Sequence, residues 1–235
     1  MKYRLLNAFR SLFEGTKYEH RKSNLGDYVA SFLYEDLFEL GRSAKLVDRV
    51  RAGRAALNTA NVTVGRQSRR GDGTFGEVVP GVAVVAIPEF RVPRSRIAAV
   101  EIGAVTKILA KAMIKQIDRV INDLKTQVVH FRASNSRAIC VGIVGINYAD
   151  RYVSFEGQRK FATDGKKYKH PIQEANDAES RLVQLAKPAF DEFILLRFQA
   201  TNSPPYPFAW LAVLETQVEY AAALVRVSRE YESRF

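Results

Sequence analysis

Cysteine occurs once in this chain of 235 residues, at Cys140. That excludes an internal disulfide framework and any metal site built on several thiolates. Its setting, "AICVGIVGI", suits a small buried hydrophobe. Long apolar runs are missing too, so no segment reaches the length needed to cross a bilayer. The first residues, "MKYRLLNAFRSLFEG", are basic and amphipathic but lack a continuous apolar core and a small-residue cleavage site, so they read as an ordinary first helix. A cytosolic protein is expected. Histidine is scarce, and His20, His130 and His170 show no metal-ligand spacing. "GDGTFGE" lacks the lysine and following hydroxyl of a phosphate-binding P-loop. Ser154, in "YVSFEG", lacks the context of a nucleophile elbow.

Acidic residues are also in deficit. Against 36 Lys and Arg stand 25 Asp and Glu, a net charge of +11, and the isoelectric point is about 9.8. Such a balance favours polyanionic partners, nucleic acid first and anionic membranes second. The excess concentrates between positions 42 and 70. There Arg42, Lys45, Arg49, Arg51, Arg54, Arg66, Arg69 and Arg70 face Asp48 alone. A solvated basic face would account for this. The arginine bias favours phosphate contact, because guanidinium forks match phosphate oxygens.

What is present is hydrophobic patterning: 47% of the residues are apolar, enough for one large domain with a substantial core. No repeat or low-complexity linker interrupts it. Helices are expected over 2–13, 25–40 and 44–57, a helical part (1–57) followed by an α/β part (58–235). "NVTVG" is a short strand candidate, and "GRQSRRGDGTFGEVVPG" reads as loop or tight turns. "VAVVAIP" and "IAAVEIG" suggest an antiparallel hairpin. From 106 to 132 the pattern turns helical, with Ile114, Ile117, Ile121, Leu124 and Val128 on one face and Lys107, Lys111, Lys115 and Asp118 on another. "RAICVGIVGINY" has the unbroken apolar character of a buried central strand. A helix over 172–185, a strand in "FDEFILLRFQA", the loop "NSPPYPFAW" and a helix over 214–231 complete the chain. This is one α/β domain, a mixed sheet flanked by helices. Tyr206, Phe208 and Trp210 read as a packed corner sooner than a base-stacking platform. "SFEGQRKFATDGKKYKHP" reads equally as an exposed hairpin or a backbone-tracking basic loop.

One carboxylate stands out, Glu101, inside the apolar run "IAAVEIG". Strict alternation sets Ile97, Ala99, Glu101 and Gly103 on one face and Ala98, Val100 and Ile102 on the core face. Glu101 then lies among small residues with room for an ion. The plain alternative is a pair with an arginine such as Arg94 or Arg96.

Helix, β-meander with an acid on its last strand, crossover helix and buried parallel strand: over roughly 27–148 this order resembles the PD-(D/E)XK, or restriction-endonuclease-like, nuclease superfamily. The resemblance implies an αβββαβ core and metal-dependent cleavage of double-stranded DNA, in restriction or defence, by a homodimer. It also implies Mg2+, with Mn2+ as a substitute, to neutralise the scissile phosphate and lower the pKa of bound water. Carried over by position, Glu101 is the strand acid. The lysine expected two residues later is Gly103, so Lys107 or Lys111 would stand in for it. The aspartate expected after Pro80 is Gly81, with Glu77 the nearest substitute and Asp72 and Glu89 weaker ones. Glu35 resembles the extra acid some members carry on the first helix. Glu101, Lys107 and Glu77 would be catalytic, with Glu77, Glu101 and Glu35 on the metal. Arg66, Arg69, Arg70, Lys111 and Lys115 would hold phosphates. Because two signature positions have departed, a non-catalytic nucleic-acid-binding protein on the same scaffold is the second reading, and a basic assembly protein the third.

Overall fold

The structure, a computed structural model, describes residues 3–19, 25–59, 72–111, 113–156, 159–166 and 169–235. Three helices come first: α1 (Arg4–Ser11), α2 (Leu25–Leu40) and α3 (Ala44–Arg51). Ser43 caps α3, its side chain accepting the Leu46 amide. The helix stops well short of 57, because Gly53 takes φ +65° and turns the chain into a strand. The expected helix over 44–57 is thus a two-turn helix followed by β1 (Ala55–Asn58).

The main sheet adds β2 (Gly73–Val78), β3 (Arg94–Ser95), β4 (Ile97–Leu109), β5 (Ile139–Asn147), β8 (Glu192–Ala200) and β9 (Phe208–Trp210). Its seven strands run in the order β3-β1-β2-β4-β5-β8-β9. β1, β2 and β4 are antiparallel neighbours, whereas β4, β5 and β8 are parallel. A separate hairpin, β6 (Tyr152–Glu156) with β7 (Arg159–Thr163), stands apart from this sheet. The helices α4 (Met113–Ser134), α5 (Pro171–Leu185) and α6 (Val213–Arg234) complete the fold. It is an α/β domain with a mixed sheet between helical layers.

Two expectations about the meander change. The partner of the Glu101 strand is residues 73–78, not "VAVVAIP", which makes only an isolated bridge from Val85 to Arg94. Gly73, Gly76 and the nearby arginines disguise β2 as loop, yet its register against β4 holds it extended. The segment 106–109 is strand and not helix. Thr106, Lys107, Ile108 and Leu109 pair with Ile143 through Ile146 on β5, and those ladder hydrogen bonds outweigh local helical spacing. The strand candidate "NVTVG" lies outside the described residues.

Both faces of the sheet are covered, as parallel strands require. One core joins α1, α2 and α6 through Phe9, Leu33, Phe75, Ile102, Ile143, Phe198 and Tyr220. The other joins α4 and α5 through Val105, Ile117, Leu124, Val144 and Leu182. All nine residues of β5 are buried, Cys140 among them. Phe208 and Trp210 pack on Phe198 and Phe9 with ring centroids 5.7 and 5.6 Å apart, so this corner is packed. α6 is fastened to distant elements by polar contacts. Tyr220 donates to Asp36 Oδ2 of α2 (2.8 Å), Ser43 donates to Glu232 (2.7 Å), and Arg234 donates to Asp191 (2.6 Å).

Candidate functional site

Glu101 is buried, 3% exposed, and a β-bulge decides what it faces. On β2, Phe75 and Gly76 are consecutive, but they pair with Ile102 and Val100 on β4. Glu101 is the extra residue. The bulge turns it toward α3 and α6, on the side of Ile102 and away from Gly103. Strict alternation placed it with Gly103, so that expectation is corrected. Glu101 Oε1 accepts from Arg49 Nη2 (2.5 Å), and Oε2 accepts from the Tyr231 hydroxyl (2.5 Å). Its cation is therefore Arg49 on α3, not Arg94 or Arg96. Burial raises the Glu101 pKa above the ordinary carboxylate value, opposed by Tyr231 and Arg49, with the Glu77 charge raising it further. Tyr231 is raised as well, by burial and then by the Glu101 charge.

Gly103 has its own structural reason. A Cβ there would lie 2.4 Å from the Phe131 ring of α4. The space a lysine would need is filled by that ring.

The other expected site residues scatter. Glu77 sits at the wall of a cleft of about 570 Å3 with Arg49, Arg54 and Phe235, close enough for its charge to act on Glu101. Glu35, 1% exposed, accepts from Arg4 Nη1 (2.7 Å) and from the main-chain amides of Arg91 (2.9 Å) and Val92 (2.8 Å). It pins the 89–92 loop to α2. Lys107 lies on β4, not on a helix, with Nζ 3.7 Å from Asp123 of α4. It therefore faces the opposite side of the sheet from Glu101. Lys111 lies in the link to α4 and Lys115 on α4 itself. Arg66, Arg69 and Arg70 lie outside the described residues. Among the described residues, no group of three or more His, Cys, Asp or Glu is arranged to hold a metal. Glu77, Glu101 and Glu35 therefore do not fit as one ligand set: Glu101 is committed to Arg49 and Tyr231, and Glu35 to the loop amides.

A different place gathers polar groups from separate elements. At the carboxyl end of β1 and the amino end of β2 a cleft of about 390 Å3 is lined by Asp27, Asn58, Asp72, Thr74 and Arg94 among others. Asp72 immediately precedes β2, and its Oδ2 accepts the Thr106 amide at 2.6 Å. Its carboxyl carbon lies 2.7 Å from where a Cβ on residue 26 would sit, so the α2 start can approach because residue 26 is glycine. Asn58 donates to the Thr74 hydroxyl at 3.2 Å. Thr106 Oγ1, beside the Asp72 contact, is buried with no hydrogen-bond partner among the described residues. Arg94 stacks 5.1 Å over Phe90, and burial lowers its pKa against the pull of Glu35. The cleft opens at the first turn of α2, the positive end of a 16-residue helix.

Oxygen donors of this kind suit a hard cation such as Mg2+, which commonly takes one or two carboxylates and keeps waters or phosphate oxygens for the rest. Asp27 and Asp72 fit that pattern. From the sequence, Asp72 was only a weaker substitute, and Asp27, Asn58 and Thr74 were not singled out. The available signal was Asp72 two residues after Arg70, the end of the Arg66–Arg70 run, with Gly26-Asp27 opening a strongly patterned helix. Comparisons with protein-family models, with curated proteins and with solved structures give no match for this chain.

Proposed function

We propose that the protein is a metal-dependent endonuclease acting on double-stranded DNA as a homodimer, with its chemistry at the cleft between α2 and the ends of β1 and β2. One observation carries this reading: Asp27 and Asp72, carboxylates from different elements, share that cleft with the guanidinium of Arg94. The helix, antiparallel strands, crossover helix and parallel strand around it support it. Asp27 and Asp72 would hold the divalent ion, which when bound neutralises phosphate charge and lowers the pKa of water. Arg94 would hold a phosphate oxygen, aided by the α2 N-terminus. Glu101 would keep α3, β4 and α6 together, a role distinct from catalysis.

Plasmid cleavage with Mg2+ or Mn2+, with and without EDTA, tests this. Asp72→Asn should abolish cutting and keep DNA binding, whereas folded Glu101→Gln should still cut. Undiminished cutting by Asp72→Asn would move the site elsewhere. The second reading, a DNA-binding protein without cleavage, is favoured by the enclosure of Glu101 between Arg49 and Tyr231. It predicts salt-sensitive DNA binding and no cleavage with either metal.

A further inference from the structure

The C-terminal helix α6 is apolar on two sides. Its inner side is accounted for: Tyr220, Ala223, Leu224, Val227 and Tyr231 are buried in the main core. Its outer side carries Leu214 (76% exposed) and Val218 (68% exposed), continued by half-buried Ala221 and Val225. At 100° per residue, these four form a stripe about 60° wide. Leu211, also exposed, extends it at the helix start. Beside it runs a groove of about 370 Å3 along β8, to which Leu195, Val218 and Ala222 contribute. Contiguous apolar surface on a helix face marks an interaction site more often than scattered exposed residues do.

The order of residues along the stripe names the occupant. Leu214 and Val218 are four apart, and so are Ala221 and Val225. Read in reverse from a second copy, the spacing is the same, so an antiparallel pair sets Leu214 against Val225 and Val218 against Ala221. The small Ala221 near the centre lets the two helices approach closely. Charge agrees. In the paired stretch Glu215 and Glu219 come first and Arg226 last, with Arg229 one turn beyond, all flanking the same side of the stripe; Glu230 and Glu232 lie past that end. A two-fold axis perpendicular to the helix keeps that flank on one side, so Glu215 of one copy meets the Arg226 and Arg229 region of the other. Parallel pairing would lay the glutamate-bearing halves side by side. Arg226 already holds Glu192 at 2.6 Å and Glu219 holds Arg197 at 3.3 Å. Glu215 and Arg229 make no ion pair among the described residues.

We infer that this outer face of α6 is the surface on which two copies of the chain associate, antiparallel about a two-fold axis near its midpoint. The interface is isologous, so each residue that contacts another is itself contacted in return. It deepens the homodimer of the proposed function and leaves its cleavage chemistry untouched, because it rests on α6 alone and is measured without DNA.

Sedimentation over a concentration series should give twice the chain mass of 26.5 kDa for the wild type at micromolar concentration. Val218→Asp, on the exposed face, should weaken association at least tenfold while retaining the far-UV spectrum of the folded chain. Single cysteines then report geometry, since Cys140 is buried. Ala221→Cys should crosslink between copies on mild oxidation. Leu214→Cys should not, because antiparallel pairing separates the two copies of that position by about 16 Å along the helix at 1.5 Å per residue. A monomeric wild type, undiminished association of folded Val218→Asp, or efficient crosslinking through position 214 would each overturn the inference.

Discussion

Replacing Arg49 with methionine removes the cation from Glu101 and keeps most of the side-chain volume. Breaking one partner from a buried pair commonly costs about 3–5 kcal/mol, because the remaining charge is left uncompensated. Here a second route limits the loss: Glu101 can take up a proton. Its ordinary value is 4.5, so protonation at pH 7 costs about 3.4 kcal/mol at 1.36 kcal/mol per unit. At pH 5 the same step costs about 0.7 kcal/mol. The penalty of Arg49→Met should therefore approach 3 kcal/mol at pH 7 and fall below about 1 kcal/mol near pH 5. The sign follows from the direction of the shift. Burial already raises the folded-state value of Glu101, and the variant raises it further. The stabilising contribution of the protonated form is full below the unfolded value of 4.5 and is lost as pH rises through the folded value. Urea denaturation of both proteins at the two pH values measures the difference, provided the m-value is unchanged. An equal penalty at pH 5 and pH 7 would refute the reasoning, since it would mean that charge on Glu101 is not what Arg49 offsets.

Ile117 is fully buried against α5 and the sheet, so Ile117→Ala should cost about 2–5 kcal/mol in chemical denaturation; a loss near zero would mean that α4 packs through another face. Gly103→Ala forces a methyl into the Phe131 ring and should cost about 1–3 kcal/mol by overpacking. Combining it with Phe131→Leu should recover part of that loss in the same melt. Replacing Arg66, Arg69 and Arg70 with alanine should weaken DNA binding and flatten its dependence on log salt, read by fluorescence anisotropy, because fewer counterions are released. An unchanged slope would remove those arginines from the interface.

Local periodicity made α2 and β5 legible. Apolar residues from Val29 to Leu37 recur at helical spacing, and the run from Ile139 to Asn147 is apolar almost throughout. Misread elements have physical causes of equal weight. Lys107 and the following residues look helical in isolation, yet β5 supplies a ladder that holds them extended. The bulge at Glu101 breaks the two-residue alternation, and nothing in "IAAVEIG" marks it. Arg49 is 52 positions from Glu101 and Tyr231 is 130, so no window around the glutamate contains its partners. The Asp72 cleft joins residues 27, 58, 72 and 94, a set that becomes adjacent only when three strands and a helix are aligned.

The fastening of α6 sets an order in time. Tyr231 reaches back 130 positions to Glu101, and Tyr220 reaches back 184 positions to Asp36. During synthesis both carboxylates emerge long before the phenols that will hydrogen-bond them. Until then, closing the sheet would bury Glu101 with only Arg49 as a partner, at a cost the nascent chain can avoid by leaving that layer open. The antiparallel strands and α4 can assemble from nearer contacts, while the layer above Glu101 waits for α6. Such long-range closure slows folding and leaves Phe75, Ile102 and Leu224 accessible to chaperones until the last helix docks.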